Sequence, residues 1–342
     1  MRKTILSVAA LLLLAGNVKA TSIGYSKDSF SQANSFRIGS TTTQGQAIRL
    51  SKAKLQMLKG KTIDFAEFVV ASKWTVGNKI HAFITTSLGG TPIAEGDVAI
   101  SASLKKMKFN LPTPYTITGE EENLYIGYTA EIETTYKMLM ADRSYDINGY
   151  NFAYKDGEWV DTYGLGYGSA CISVNVDGDF DYTDAIVGKT YFDGYFLAGN
   201  NYDFAARFIN AGTTTINSFD AIINVDGKES TQHFNDVTIK PKDGYSFKLS
   251  GVNSDTDGSK NVSVKIVNVN GADAESDVSD NEIRGNVYFY PKNMERSILV
   301  EGFTGQDCSN CPQGHRDINS AIELAEKSGL SIVEVSHHAG FY

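Results

Sequence analysis

The sequence contains little cysteine, proline or tryptophan, and it has no long apolar segment. Its 342 residues include three cysteines, six prolines and two tryptophans. So few prolines, together with 32 glycines that follow no three-residue period, exclude a collagen-like or proline-rich polymer. The longest apolar run, residues 5–15, is far shorter than the roughly 20 residues that a membrane-spanning helix needs. The composition therefore predicts a globular chain.

Basic residues are scarce relative to acidic ones. Lys and Arg number 31 against 40 Asp and Glu, which gives a formal net charge of -9. Removing the leader described below takes away three of the 31 basic residues and leaves 28 against 40 acids, a net charge of -12. Phosphates of nucleic acids and anionic lipid surfaces repel such a chain. We therefore expect no nucleic acid among its partners.

Residues 1–20 have the pattern of an export signal. Arg2 and Lys3 precede the apolar run, and the small residue Ala20 stands at its exit, so that cleavage there would leave a mature chain beginning at Thr21. No cysteine precedes Cys171, which excludes a lipid anchor at the cleavage point. We expect a protein exported to the periplasm, the outer-membrane surface or the extracellular space, without membrane insertion by this chain.

Residues 21–176 consist of short segments rich in Ile, Val, Phe and Tyr, separated by Gly, Asn and Asp. This pattern predicts an antiparallel β-sandwich. One stretch differs, because Ser51 can cap a short helix that carries Leu55 and Leu58 on one face and ends at Gly60. The sequence predicts a single short helix packed on the end of the sandwich.

Two further regions follow this sandwich. Residues 177–189 are predicted to be an acidic linker. Carboxylates alternate along its first part and leave a calcium site as the alternative, although Tyr182 stands where a helix-loop-helix calcium site has glycine. Residues 190–291 alternate again and predict a second, immunoglobulin-like β-sandwich, in which Asp226-Gly227 forms a hairpin turn.

Aromatic residues of the first sandwich are candidates for binding a sugar, because a sugar ring can stack on an exposed aromatic ring. The candidates are Trp74, Trp159, Tyr163 and Tyr167. Aromatic residues of a sandwich also pack in its core or across neighbouring strands. Both interpretations stay open at this level.

The last fifty residues have a different pattern. Residues 297–303 and 331–335 predict strands and residues 312–327 predict a helix, an order that implies a parallel sheet. Cys308 and Cys311 lie between the first strand and the helix. Export favours a disulfide between them, and the positive end of the helix dipole stabilises a thiolate. Cys308 would then be the attacking thiol and Cys311 the resolving one.

Zinc binding is the competing chemistry for this cysteine pair, because two cysteines and nearby histidines match the ligands that zinc prefers. The ligands would be Cys308, Cys311, His315 and either His337 or His338. Cys171 lies alone in an apolar strand and is expected to be an inert buried thiol. A redox pair, a structural disulfide and a zinc site all remain open, and we predict no cofactor.

The run 298–305, the motif Cys308-Ser309-Asn310-Cys311-Pro312 with His315, and residues 335–338 together resemble a thioredoxin-like family. This family is related to outer membrane protein twenty-eight of the Bacteroidetes. The resemblance implies a thioredoxin fold for residues 292–342, with protein thiols or disulfides as partners of the cysteine pair. Two departures weaken the enzymatic interpretation. Asp307 stands where oxidoreductases of this superfamily carry tryptophan, and the chain stops at Tyr342, so we expect the thioredoxin-like unit to be incomplete.

Residues 47–63, 111–117 and 124–128 resemble the jelly-roll modules of secreted Bacteroidetes proteins, which include cleaved-adhesin-like domains. Some of these modules bind carbohydrate. The predicted fold is therefore mostly β, with a jelly-roll-like sandwich, an immunoglobulin-like sandwich and an incomplete thioredoxin-like unit. The predicted function is that of an exported envelope protein with thiol-disulfide exchange at Cys308 and Cys311. The alternative is a non-enzymatic adhesion or scaffold protein that binds a glycan or a protein and has a structural disulfide.

Overall fold

The structure is a computed structural model. It describes residues 20–27, 29–72, 75–132, 136–144, 146–190, 192, 194–271, 277–291 and 297–340. Apart from Ala20, the predicted signal segment lies outside the described residues, as does Trp74. The chain is mostly β and divides into two compact units, Met1–Phe289 and Tyr290–Tyr342.

The first part of the first unit, here called the first sandwich, contains thirteen described strands. They are β1 (Ala20–Gly24), β2 (Ser35–Phe36), β3 (Thr43–Ser51), β4 (Thr62–Val69), β5 (Lys79–Thr85), β6 (Ala94–Ala99), β7 (Lys106–Thr116), β8 (Asn123–Glu131), β9 (Leu139–Asp142), β10 (Asn151–Lys155), β11 (Glu158–Asp161), β12 (Ser169–Ala170) and β13 (Ile172–Asp177). Single 3-10 turns occupy Gln32–Asn34 and Val76–Asn78.

These strands form two main sheets that enclose a common core. A four-stranded sheet has the order β1-β13-β4-β7, and a six-stranded sheet has the order β11-β10-β3-β8-β5-β6. A small third sheet has the order β12-β9-β2. Phe68 of the four-stranded sheet packs edge-on against Tyr128 of the six-stranded sheet, with ring centres 5.6 Å apart. The predicted β-rich architecture of antiparallel sheets around one core is confirmed for this region.

The predicted short helix is present as α1 (Lys52–Met57). The side chain of Ser51 accepts a hydrogen bond from the backbone N–H of Lys54 and so caps the helix. Leu55 and Leu58 are fully buried, and Gly60 has a φ of +80°, which glycine adopts without strain. The helix therefore begins and ends as predicted, and its apolar face covers the core.

The second part of the first unit, here called the second sandwich, contains eight described strands. They are β14 (Ala185–Val187), β15 (Phe196–Leu197), β16 (Tyr202–Asn210), β17 (Phe219–Val225), β18 (Lys228–Phe234), β19 (Gly244–Val252), β20 (Gly258–Val267) and β21 (Glu282–Tyr290). One sheet has the order β14-β16-β19, and the other has the order β15-β21-β20-β17-β18. The predicted hairpin turn joins β17 to β18, with Asp226 and Gly227 both at positive φ.

The segment 177–189, predicted to be a linker, is packed into the first unit. Tyr182 is 7% exposed and Asp184 is fully buried. Ile186 of β14 belongs to the core of the first sandwich, whereas Ala185 belongs to the core of the second. The segment therefore passes between two cores that it helps to fill, which its acidic composition did not indicate.

The alternating carboxylates of this segment bind different partners. Asp177 accepts a hydrogen bond from the backbone N–H of Thr62, and Asp184 contacts the ammonium group of Lys54. Two carboxylates that serve separate partners do not form the converging oxygen cage that calcium requires. The structure therefore gives no support to the calcium alternative.

Limited proteolysis tests the packing of the segment 177–189. We expect a protease that cuts exposed loops to spare residues 182–187, because cleavage needs several residues of extended, solvated backbone and this stretch is buried. Fragments can be assigned by mass spectrometry. An early cut within 182–187, before any cut elsewhere in the first unit, would show that the segment opens as an independent linker.

The second unit contains the predicted strand, helix and strand in that order. They are β22 (Ser297–Gly305), α2 (Cys311–Lys327) and β23 (Ser331–Ala339). β22 and β23 pair in parallel over their full lengths, as predicted. Phe303 of the sheet is 70% exposed, because one helix cannot cover both faces of a two-stranded sheet. Leu324 of the helix is 68% exposed. Within the residues that the structure describes, no helix has the length and apolar character to cross a membrane.

Candidate functional site

A disulfide joins Cys308 and Cys311 in the second unit. Cys311 is the first residue of α2, and Cys308 lies in the turn between β22 and this helix. The backbone N–H of Cys311 donates a hydrogen bond of 3.4 Å to the carbonyl oxygen of Cys308. Pro312 occupies the first turn of the helix, where its missing N–H costs nothing. The predicted pairing is therefore present at the predicted strand-to-helix junction.

The disulfide borders a shallow hollow of about 210 Å³. Phe303 lines one side from β22, and His315 and Ile318 line the other from α2. Both cysteines are half-buried, so the disulfide is neither enclosed in a core nor fully exposed. A thiolate on a partner protein could approach a sulfur atom from this hollow.

The zinc interpretation fails in this state because the two sulfurs are bonded to each other and cannot act as thiolate ligands. His337 has a different partner, since its Nε2 lies 3.1 Å from Oε1 of Glu301 and its ring stacks on Phe303. In the described part of the chain, no group of three or more His, Cys, Asp or Glu side chains could hold a metal ion. The third cysteine, Cys171, is 4% exposed, which confirms the predicted buried thiol.

Five aromatic side chains lie on the outer face of the six-stranded sheet, and we call this surface the aromatic face. Its members are Phe83, Tyr125, Phe152, Tyr154 and Trp159. Side chains alternate between the faces of a strand, and the intervening residues, such as Ile48 and Ile126, point into the core. Trp159 contacts Tyr154 and Phe83 with ring centres 5.3 and 5.6 Å away, and Tyr125 contacts Phe152 at 5.5 Å.

Two glycines make room for these rings on the central strands. Gly127 of β8 lies directly opposite Phe83, and a Cβ at Gly127 would stand 2.6 Å from Cζ of that ring. A Cβ at Gly45 of β3 would stand 3.2 Å from Cη2 of Trp159. The rings therefore lie over the sheet at positions where any larger residue would displace them.

Ionisable side chains border the aromatic face on both sides. Asp161 is paired with Phe152 in the strand register, and Arg49 is paired with Tyr125. At the opposite edge, His81 Nε2 lies 3.0 Å from Oε2 of Glu95 and Nδ1 lies 3.1 Å from Oδ1 of Asp97. The hydrogen bond to Glu95, with that to Asp97, raises the pKa of His81. Hydrogen-bonding groups of both charges thus flank an apolar centre.

The aromatic candidates from the sequence lie in different surroundings. Trp159 belongs to the aromatic face, but Tyr167 stacks on Phe36 with ring centres 4.1 Å apart and packs against the first core. Tyr163 is half-buried in the loop after β11, and Trp74 lies outside the described residues. Sequence reasoning missed the other four rings of the aromatic face. The sequence shows which residues alternate along each strand. It does not show the order of the strands in the sheet, which brings the rings together.

A buried ionic cluster lies between the two sandwiches of the first unit. Lys54 of α1 and Asp184 form an ion pair in which neither side chain has any exposed surface. Nζ of Lys54 lies 5.1 Å from the ring centre of Tyr182 and 6.0 Å from that of Tyr25. The partners are 130 residues apart in the sequence, so the pair joins a helix of the first sandwich to the start of the second.

Two more carboxyl groups belong to this cluster. The hydroxyl of Ser51 donates a hydrogen bond of 2.7 Å to Oδ2 of Asp277, and the hydroxyl of Tyr150 donates one to Oδ2 of Asp280. Burial raises the pKa of Asp184, and the charge of Lys54 offsets only part of that rise. Burial, with the charges of Asp184 and Asp277, raises the pKa of Asp280 well above its usual range. This shift favours the neutral form of Asp280.

Two carboxylate oxygens of the cluster lack hydrogen-bond partners among the described residues. They are Oδ1 of Asp184 and Oδ1 of Asp280, and both are buried. A buried acceptor without a donor costs free energy, and an ionised one costs more. Sequence reasoning missed the cluster, although one signal was available. Lys54 lies four residues before the buried Leu58, and residues four apart share one face of a helix.

Comparisons with known proteins give no family assignment. No protein-family model matches the chain, and no curated protein gives a significant match. A CARDB domain from Pyrococcus furiosus, solved with di-metal ions, is 14% identical over 33% of this chain and 99% of its own, with a TM-score of 0.27. A putative cell-surface protein domain from Methanosarcina acetivorans is 17% identical over 32% of this chain and 93% of its own, also at 0.27.

A glycosyl hydrolase family 2 member from Bacteroides cellulosilyticus is 10% identical over 93% of this chain and 37% of its own, with a TM-score of 0.25. TM-scores this low carry no argument about function. The candidate sites of this chain are therefore the ones that its own residues form, namely the disulfide, the aromatic face and the buried ionic cluster.

Proposed function

We propose that this chain is an exported cell-surface scaffold protein whose first sandwich binds an oligosaccharide on the aromatic face. The observation that carries this proposal is the set of five rings on one face of the sheet, with ionisable groups at its borders. Phe83 is 8% exposed, and the other four rings are half-buried. A pyranose ring has an apolar C–H face that packs on an aromatic ring and hydroxyl groups that need polar partners. The rings supply the surface on which the C–H face packs. Arg49, Asp161 and His81 with Glu95 and Asp97 supply polar partners for the hydroxyl groups.

Export and a scaffold role are supported by the sequence and by the burial of the ionisable cluster. The signal-like segment 1–20 directs the chain out of the cytoplasm. Burial raises the pKa of Asp184 and of Asp280, and both lie in an enclosed cluster to which an external substrate has no access. A group that meets no substrate cannot act as a catalytic acid or base on one. These groups therefore favour a structural role over catalysis.

Substitution of Trp159 tests the proposed oligosaccharide site. We expect Trp159→Ala to weaken glycan binding at least about fivefold, since stacking on one aromatic ring is worth about 1 kcal/mol beyond the buried area. Binding can be screened on a glycan array and measured by calorimetry. Tyr195→Ala is a matched control, because Tyr195 is 72% exposed in a different part of the unit. Unchanged glycan affinity in folded Trp159→Ala, or binding of a protein but no glycan, would contradict the proposal.

A second function is favoured by the position of the disulfide, and we propose thiol-disulfide exchange with protein thiols at Cys308 and Cys311. The pair is partly accessible at the start of a 17-residue helix, where backbone N–H groups and the helix dipole stabilise a thiolate. A thioredoxin-like fold related to the Bacteroidetes family named above is part of this proposal. The exposed carboxylate of Asp307 lies beside Cys308 in the sequence, where its negative charge disfavours a thiolate, so we expect modest reactivity.

A further inference from the structure

The ion pair between Lys54 and Asp184 has the arrangement that an intramolecular condensation requires. We propose that Nζ of Lys54 and Cγ of Asp184 become joined by an amide bond, a side-chain isopeptide cross-link between the two sandwiches of the first unit. The proposal goes beyond the scaffold function, since it assigns a covalent modification to residues that touch no ligand.

Proximity and exclusion of water are the first two requirements. Nζ of Lys54 is in hydrogen-bond contact with Oδ2 of Asp184, and both side chains are fully buried. The rings of Tyr182 and Tyr25 lie beside the amine at 5.1 and 6.0 Å. Well-oriented groups within one molecule react as if at concentrations of about 10⁵ to 10⁸ M, and a dry site opposes hydrolysis of the product.

The cost of the buried charges supplies a driving force. A carboxylate and an ammonium group in an apolar interior pay a large desolvation penalty that their attraction repays only when every remaining polar atom is satisfied. That condition is unmet, because Oδ1 of Asp184 has no hydrogen-bond partner among the described residues. Condensation replaces both charges with a neutral amide and removes one of the two carboxylate oxygens. The product is therefore better suited to this site than the ion pair.

The reaction balances without an oxidant or any co-reactant. One proton passes from the ammonium group of Lys54 to the carboxylate of Asp184, which leaves a neutral amine and a neutral acid. The nitrogen lone pair attacks Cγ and forms the C–N bond. The C–OH bond then breaks, and the hydroxyl leaves with a second proton from the nitrogen as one molecule of water.

We assign the transfer of that second proton to Asp280. Asp280 belongs to the same buried cluster, because its Oδ2 accepts a hydrogen bond from Tyr150, whose ring packs 5.1 Å from that of Tyr25 beside Lys54. Burial raises the pKa of its carboxyl group, which favours the protonated form. A neutral carboxyl group can give a proton to the leaving oxygen while its other oxygen accepts one from the nitrogen. Oδ1 of Asp280 has no partner among the described residues and is available for this exchange.

Mass spectrometry of the denatured, exported full-length protein tests the cross-link. We expect an intact mass that is lower by one water than the mass calculated for the mature chain, from Thr21 onward, with its disulfide. Trypsin should fail to cut after Lys54 and should release a branched product in which residues 53–59 are joined to residues 156–189. Lys52 lies on the same helix and is an internal control. Its ion pair with Glu122 is solvent-exposed, so trypsin should cut after Lys52 as usual.

Two variants separate the cross-link from the fold. Lys54→Arg keeps a positive charge beside Asp184, but a guanidinium group is not a nucleophile, so the branched product should be absent from a folded protein. Asp280→Asn should slow cross-linking, and an unchanged rate would remove Asp280 from the mechanism. Linear peptides ending at Lys54, together with an intact mass that lacks the loss of water, would overturn the proposal.

Discussion

Lys54→Met is expected to lower the free energy of unfolding of the first unit by about 3–5 kcal/mol, which is the usual cost of removing one partner of a buried ion pair. The substitution leaves the carboxyl group of Asp184 in an enclosed cluster with Asp277 and Asp280 and removes the ammonium group that balances its charge. Loss of the proposed cross-link would add to this figure, because closing a loop of this length is worth about 5 kcal/mol. Urea denaturation followed by circular dichroism gives the measurement.

Lys52→Met is the matched control for this prediction. Lys52 lies on the same helix and pairs with Glu122, but its side chain is 48% exposed. An exposed ion pair contributes little to stability, so this variant should unfold close to the wild-type midpoint. Equal stabilities of Lys54→Met and Lys52→Met would show that the buried pair does not hold the first unit together.

The loss of unfolding free energy in Lys54→Met, called the deficit here, should depend on pH. The pKa of Asp184 determines whether the deficit grows or shrinks as pH rises. Burial already raises the pKa of this carboxyl group, and removing the cation raises it further above its value in the unfolded chain. A carboxyl group whose pKa is higher in the folded protein than in the unfolded chain holds its proton more tightly when folded. It therefore destabilises the folded state as pH rises from the unfolded value toward the folded one. The deficit should therefore be smallest below about pH 4, near the unfolded pKa of a carboxyl group, and should grow as pH rises.

Features that depend on neighbouring residues were predictable from the sequence. The helix α1 needs only the cap of Ser51 and the spacing of Leu55 and Leu58, which are all local. The turn at Asp226-Gly227 and the bridge between Cys308 and Cys311 also depend on only a few consecutive residues. In each case the pattern specifies the contact because the chain has no freedom to place its members far apart.

Features that depend on distant partners were not predictable. The acidic composition of the segment around Asp184 predicts a solvated linker. The segment is buried because Asp184 pairs with Lys54, and this partner lies 130 residues away in the sequence. The contact between Ser51 and Asp277 spans 226 residues. The aromatic face is a similar case, because its rings come from four strands that are neighbours only in the folded sheet. Periodicity assigns each ring to a face of its own strand and cannot say which strands are adjacent.

Once the disulfide is reduced, the three cysteines are expected to be alkylated at very different rates. After treatment of the folded protein with a mild thiol reductant, Cys308 should be alkylated at least about tenfold faster than Cys311, because Cys311 lies within the first turn of α2 and Cys308 precedes it. Cys171 is 4% exposed and should react only when the first unit opens. Alkylated peptides quantified by mass spectrometry at increasing times give the three rates.

The same pair should carry any exchange activity toward a protein substrate. Cys308→Ser removes the attacking thiol and should abolish reduction of insulin disulfides, whereas Cys171→Ser should leave it unchanged, because that thiol is enclosed in a different unit. A structural disulfide would behave differently. It would resist the mild reductant while the protein stays folded, and Cys308→Ser would lower only the stability of the second unit. That result would remove the exchange function and leave oligosaccharide binding by the first unit as the role of the chain, since no residue of the aromatic face belongs to the second unit.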